Sequence, residues 1–214
     1  MNPKAQDLIV AVVSYFTERG ESVTKTKLLK LLYLFDVAFY RVHRTTFTAF
    51  EWKYFHLGPW TREFDTVLDQ LAEDERLDST PSTNPEFETR YYRAIQPLEA
   101  GQVLPAYADE RILRDLLNMW GDAQLGEILD HVYFRTEPME HGVRNEPLDF
   151  SRIPSNVAPR YERTPSNTLP KHVEALRRKL AEANSGRQQT PFEFTPPRYD
   201  TEFERALDKL DKAW

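Results

Sequence analysis

The sequence predicts a mainly α-helical, α+β fold. A compact helical domain (1-150) surrounds one buried central helix and carries a small antiparallel sheet, and a Pro-rich C-terminal extension (151-214) holds two short helices. Three observations predict this. Residues 28–40 are apolar almost all round a helix, broken only by Lys30 and Asp36, the mark of a helix buried on most sides. Two short stretches, 50–55 and 87–93, alternate with a period of two, as strands do. Composition then changes after Phe150: 8 prolines and 16 basic against 25 acidic residues precede that point, whereas the remainder holds 7 prolines and 12 basic against 9 acidic residues.

The elements follow in order. A first helix, about 4–19, has Leu8, Ile9, Val12, Val13 and Phe16 on one face and ends at Gly20. Thr24 caps the central helix, which runs to about Arg41. Phe50, Trp52 and Tyr54 make a short aromatic strand, and Gly58-Pro59 turns the chain out of it. A helix over 60–77 points Phe64, Val67, Leu68 and Leu71 inward and leaves an acidic outer face with Asp65, Asp69 and Glu73. Phe87, Thr89, Tyr91 and Arg93 suggest a second strand, able to pair with the first. Helices follow at about 106–119 (Ile112, Leu113, Leu116, Leu117) and at 122–134, capped by Asp122 and carrying Leu125, Ile128, Leu129 and Val132. In the extension, Pro- and Arg-rich linkers flank two amphipathic helices. One presents Val173, Leu176 and Leu180, the other Phe203, Leu207, Leu210 and Trp214. Neither is long enough to be stable alone in water, so each must dock on the body or on a partner.

Several chemistries are excluded. The chain has no cysteine, which removes disulfides, thiolate metal sites and a cysteine nucleophile. There is no G-x-S-x-G elbow and no glycine-rich phosphate loop. The five histidines (43, 56, 131, 141, 172) lack metal-ligand spacing, so neither metal nor cofactor is expected. A net charge of -6 argues against nucleic acid as a partner, and no apolar run is long enough for a membrane span. The N-terminal residues show no secretory leader, so the expectation is a soluble, cytoplasmic protein. Asp65 and Asp69 read as a solvated helix face rather than an acid–base pair. His131, four residues after Glu127, reads as an exposed side-chain pair rather than a dyad, with its role open. Trp52, Tyr54, Phe55, His56 and Trp60 read as core aromatics, with a stacking platform as the alternative. Lys25, Lys27 and Lys30 form a small basic cluster open to solvent, to an ion pair with the acidic helix, or to an anion.

The block Thr26-Lys27-Leu28-Leu29-Lys30-Leu31-Leu32-Tyr33-Leu34-Phe35-Asp36, the segment His56-Leu57-Gly58-Pro59-Trp60 and the helix Phe64 to Leu71 resemble the Panacea domain of SocA-like antitoxins. His131-Val132-Tyr133, Thr136-Glu137-Pro138 and Gly142 resemble that domain's closing segment. The resemblance covers about 25–150 and departs from the family pattern at Leu29 and Trp60. Its signature positions here are Lys27, Leu28, Lys30, Leu31, Leu32, Tyr33, Asp36, Gly58, Pro59, His131, Tyr133, Glu137 and Pro138. It implies a non-enzymatic antitoxin that neutralises a cognate protein toxin by direct binding. The alternative it implies is an adaptor that delivers a toxin or other cargo to an ATP-dependent protease. A small hydrolase using His131 is a third reading. Trp52, Trp60 and the extension's apolar anchors, Val173 to Trp214, are the candidate partner contacts.

Overall fold

The structure, a computed structural model, describes residues 3–56, 58–82 and 89–154. The extension helices with their anchors, and Phe87, lie outside the described residues. Helix α1 (Pro3–Thr17) buries Leu8, Ile9, Val12, Val13 and Phe16 as expected. It ends where Gly20, at φ +75°, donates to the Thr17 carbonyl while the amide of Glu21 reaches back to Phe16, closing the carbonyls that a helix end leaves open. After the two-residue strand β1 (Val23–Thr24), the Thr24 hydroxyl accepts the amide of Lys27 and starts α2 (Lys25–His43). Helix α2 is the centre of the molecule. Leu28 through Phe39 are all buried, and the interrupting Lys30 (2 % exposed) and Asp36 (0 %) are inside as well.

Two antiparallel sheets flank it. The aromatic strand β2 (Lys53–Phe55) pairs with β3 (Gly58–Trp60), Tyr54 opposite Pro59. The second sheet has the order β1-β5-β4, with β4 at Leu77–Pro81 and β5 at Arg90–Ala94. One expectation is corrected here. The segments read as strands do not pair with each other, because Gly58-Pro59, read as a turn, is itself the strand that completes the first hairpin. The buried positions of β5 are Tyr92 and Ala94: Tyr92 lies opposite Val23, both nearly inaccessible, and this pairing sets which side of the ribbon faces the core.

Helix α3 (Arg62–Glu73) buries Phe64, Val67, Leu68 and Leu71 and keeps its acidic face outward. Asp65 on that face pairs with Lys25 at 2.8 Å, which selects the ion-pair reading for that lysine. A one-turn helix α4 (Ala100–Val103) precedes α5 (Tyr107–Trp120), whose last residue is a core residue that the sequence reading left out. Helix α6 (Leu125–Arg135) is started by a reciprocal cap between Gln124 and Glu127, not by Asp122. A short helix α7 (Glu137–Glu140) follows it. The packed core runs past the expected boundary at 150, through a 3-10 turn at Phe150–Arg152 to the fully buried Ile153, whose carbonyl accepts Arg44.

Candidate functional site

The signature positions converge around α2, and each polar one except His131 is bonded to a fixed partner. Lys30 sends its ammonium to the carbonyl of Pro59 at 2.8 Å, tying β3 to the helix. Burial with no opposing carboxylate brings that ammonium down to about 7. Gly58 bends the hairpin at φ +95°, and a β-carbon there would meet the Tyr133 ring at 3.3 Å. The Tyr133 hydroxyl donates to the His56 carbonyl at 3.4 Å, and burial pushes the phenol up to about 12. The hairpin is thus held by α2 on one side and α6 on the other. Its outer edge is closed by residues 145–148, through Tyr54 to Glu146, Asn145 to Tyr54 and Leu148 to Trp52.

One helical turn and a half along α2, the Asp36 carboxylate collects four donors. These are the amides of Phe47 (2.9 Å) and Thr48 (3.0 Å), the Thr48 hydroxyl, and the Trp52 indole N–H at 2.8 Å. Burial pushes Asp36 up while these bonds oppose it. The loop 44–52 is therefore wrapped around one charge. Trp52 takes the core reading: at 2 % exposure, with its N–H on Asp36, it offers nothing to a partner. Tyr33 meets Thr136 at 3.0 Å, and Arg41 pairs with Glu137 at 2.5 Å, so the Thr136-Glu137 step locks the end of α6 onto α2. Pro138 is buried in the first turn of α7. Leu28, Leu31 and Leu32 are core, and Lys27 caps the carbonyl of Gly121 at 2.5 Å while lying over the Phe16 ring.

His131 is not the exposed partner of Glu127. It is 8 % exposed and packs on Trp120 with ring centroids 4.7 Å apart, while the Glu127 carboxylate accepts the amide of Gln124 at the helix start. Burial and the nearby Arg135 and Arg41 bring its imidazole down to about 4. Thr48, Arg41 and Trp120 are the working residues that sequence reasoning missed. Arg41 carried a usable signal, a charge in the last turn of an otherwise apolar helix. Among the described residues no group of three His, Asp or Glu side chains is placed to hold a metal ion, and no helix is long and apolar enough to cross a membrane.

What this framework leaves outward is aromatic. Phe55 is 38 % exposed and tilts against the half-buried Trp60 at 5.2 Å, with the exposed His56 edge-on to Phe55 at 4.3 Å. Near the same edge, Gly142 abuts Tyr54 and is followed by Val143, 57 % exposed. The geometry suits contact with another surface, since aromatic side chains on a short, rigidly held hairpin lose little freedom when covered. Compared with known proteins, this chain matches no family model, no curated protein and no solved structure.

Proposed function

We propose that this chain is an antitoxin of the Panacea type, acting in the cytoplasm, which binds a cognate protein toxin and neutralises it by direct contact. The supporting observation is the fate of the signature residues. Lys30, Asp36 and Glu137 are all engaged in holding loops to α2, and the product of that effort is the outward hairpin surface of Phe55, His56 and Trp60. A motif spent on building a surface fits recognition better than it fits turnover. The apolar anchors of the extension, from Val173 to Trp214, add to recognition in this reading.

The test is co-expression. Induction of the neighbouring gene alone should arrest growth, and induction together with this chain should restore it; absence of rescue overturns the proposal. A tagged full-length chain should retain the toxin in a pull-down. The same cells separate neutralisation from delivery to an ATP-dependent protease. A toxin half-life that is unchanged or longer in the presence of this chain supports neutralisation, and a shortened one replaces it with the adaptor reading.

A further inference from the structure

A cavity of about 200 Å³ opens between α1, α4 and α5. That is the space of roughly six water molecules at about 30 Å³ each. Burial grades its lining. Ala11 and Leu117 are each 4 % exposed, and with the half-buried Leu98 they form an apolar base. Glu110 stands at mid-depth, its side chain 20 % exposed, while Glu18, Glu99 and Arg114 are exposed at the mouth. The walls are fixed by bonds within the chain. The Tyr15 hydroxyl donates to the Leu117 carbonyl at 3.1 Å, joining α1 to α5, and the amide of Leu98 donates to the Ser14 hydroxyl at 2.9 Å, joining α1 to the segment before α4.

The lining carries three carboxylates and one guanidinium, and that guanidinium is bonded to Glu110. Glu18 forms no ion pair among the described residues, and Glu99 uses its carboxylate on the amide of Gln102, which leaves its charge uncompensated. Close by, Asp122 and Glu21 add negative potential at Tyr15, opposed by Arg19, which stacks on the ring at 3.5 Å. The space is therefore negative at its mouth and apolar at its base, and a cleft of that kind concentrates cations. Water suits the mouth but not the base. An aliphatic stem with a cationic end suits both, as lysine and arginine side chains show when the stem lies on apolar surface and the charge reaches polar groups. We propose that this cavity binds a short alkyl chain ending in an ammonium or guanidinium group, with its methylenes on Ala11, Leu98 and Leu117 and its charge facing Glu18, Glu99 and Glu110. The group belongs either to a free alkylamine or to a lysine or arginine side chain of a partner protein. No residue of the β2–β3 hairpin takes part, so the site does not depend on the antitoxin reading.

Methyl NMR of the full-length chain tests it. The Leu98 methyl signals, assigned by their loss in Leu98→Met, and the methyl signal of Ala100, a further lining residue, assigned by its loss in Ala100→Ser, are followed as n-butylammonium chloride is added. 1-Butanol supplies the stem without the charge, and sodium chloride at matched ionic strength supplies the charge without the stem. The expected result is a saturable shift of both signals with n-butylammonium, at least about fivefold weaker with 1-butanol and absent with sodium chloride. Glu18→Gln changes an exposed side chain, and Glu99→Gln keeps an oxygen for the Gln102 amide, so both variants should fold. Each should weaken n-butylammonium by roughly threefold to fivefold, the loss of one solvent-screened charge pair. 1,4-Diaminobutane and N-acetyl-lysine N-methylamide separate the two sources. Tighter binding of the diamine assigns the cavity to a free amine, and tighter binding of the blocked lysine assigns it to a partner's side chain. Shifts that do not saturate, 1-butanol binding as tightly as n-butylammonium, or an affinity unchanged in Glu18→Gln and Glu99→Gln alike overturns the site.

Discussion

Lys30 and Pro59 are joined by a 2.8 Å hydrogen bond from a buried ammonium to a peptide carbonyl, the contact by which the central helix holds the β2–β3 hairpin. A lysine with three donors is an expensive way to satisfy one carbonyl, and its chemistry makes it measurable.

The first prediction concerns pH. The unfolded chain keeps the Lys30 proton to its usual value near 10.5, whereas the folded state releases it above about 7. The unfolded state therefore binds more protons across that window, and stability from this residue rises with pH between about 7 and 10.5 and is flat below it. Lys30→Met removes the titration. The stability of wild type relative to Lys30→Met should increase by on the order of a few kcal/mol between about pH 6.5 and pH 10, measured by urea unfolding. A constant difference would show that the ammonium is better solvated than its burial implies.

Asp36 supports the second prediction. All four of its partners are donors, so Asp36→Asn places an amide N–H against the Thr48 hydroxyl and the Trp52 indole and removes the charge that both bonds relied on. The expected loss is about 2–4 kcal/mol, the cost of breaking a buried charged network from one side. Trp52 fluorescence should change with it, since loop 44–52 loses its anchor. A variant as stable as wild type would mean that the loop is held by apolar packing alone.

Helix α2 was legible because a run apolar all round has only one place to go, and Thr24 marked its start. Which strands pair was not legible. Gly58-Pro59 has the composition of a turn, and its conversion to a strand depends on Lys30 reaching the Pro59 carbonyl from 29 residues away. The face of β5 was not legible either, because Tyr91, Tyr92 and their neighbours alternate equally well in either parity; Val23, opposite Tyr92, breaks the tie only after folding. His131 was placed on the surface by its spacing from Glu127, since nothing local reveals that Trp120 from another helix covers it. For the site, the residue types were readable and their roles were not. Lys30, Asp36 and Glu137 look alike in sequence whether they react with a ligand or hold a loop.

Glycines give a third prediction, with opposite signs. At Gly58 the left-handed backbone and the Tyr133 ring 3.3 Å from an added β-carbon act together, so Gly58→Ala should cost about 1–3 kcal/mol and loosen the hairpin. Gly126, in the first turn of α6, has nothing within 4 Å of such a carbon, and Gly126→Ala should stabilise by about 0.5–1 kcal/mol through helix propensity. Thermal unfolding of the two variants side by side reads both signs. A neutral Gly58→Ala would mean that the hairpin adjusts its bend freely.

The last prediction separates the surface from its support. Phe55 and Trp52 sit three residues apart on the same segment, yet one is 38 % exposed and the other 2 %. Truncating Phe55 removes exposed aromatic area without disturbing the Asp36 network, so Phe55→Ser should melt within a few degrees of wild type and, under the proposed antitoxin role, lose toxin capture by roughly tenfold or more, as for a central interface aromatic. Trp52→Phe should do the reverse. It leaves the Asp36 carboxylate one donor short, which costs about 1–3 kcal/mol, while the folded fraction binds toxin as before. Binding assays corrected for folded fraction distinguish the two. If Phe55→Ser captures toxin as well as wild type, recognition lies off the hairpin, and the Lys30 clamp then serves the core alone.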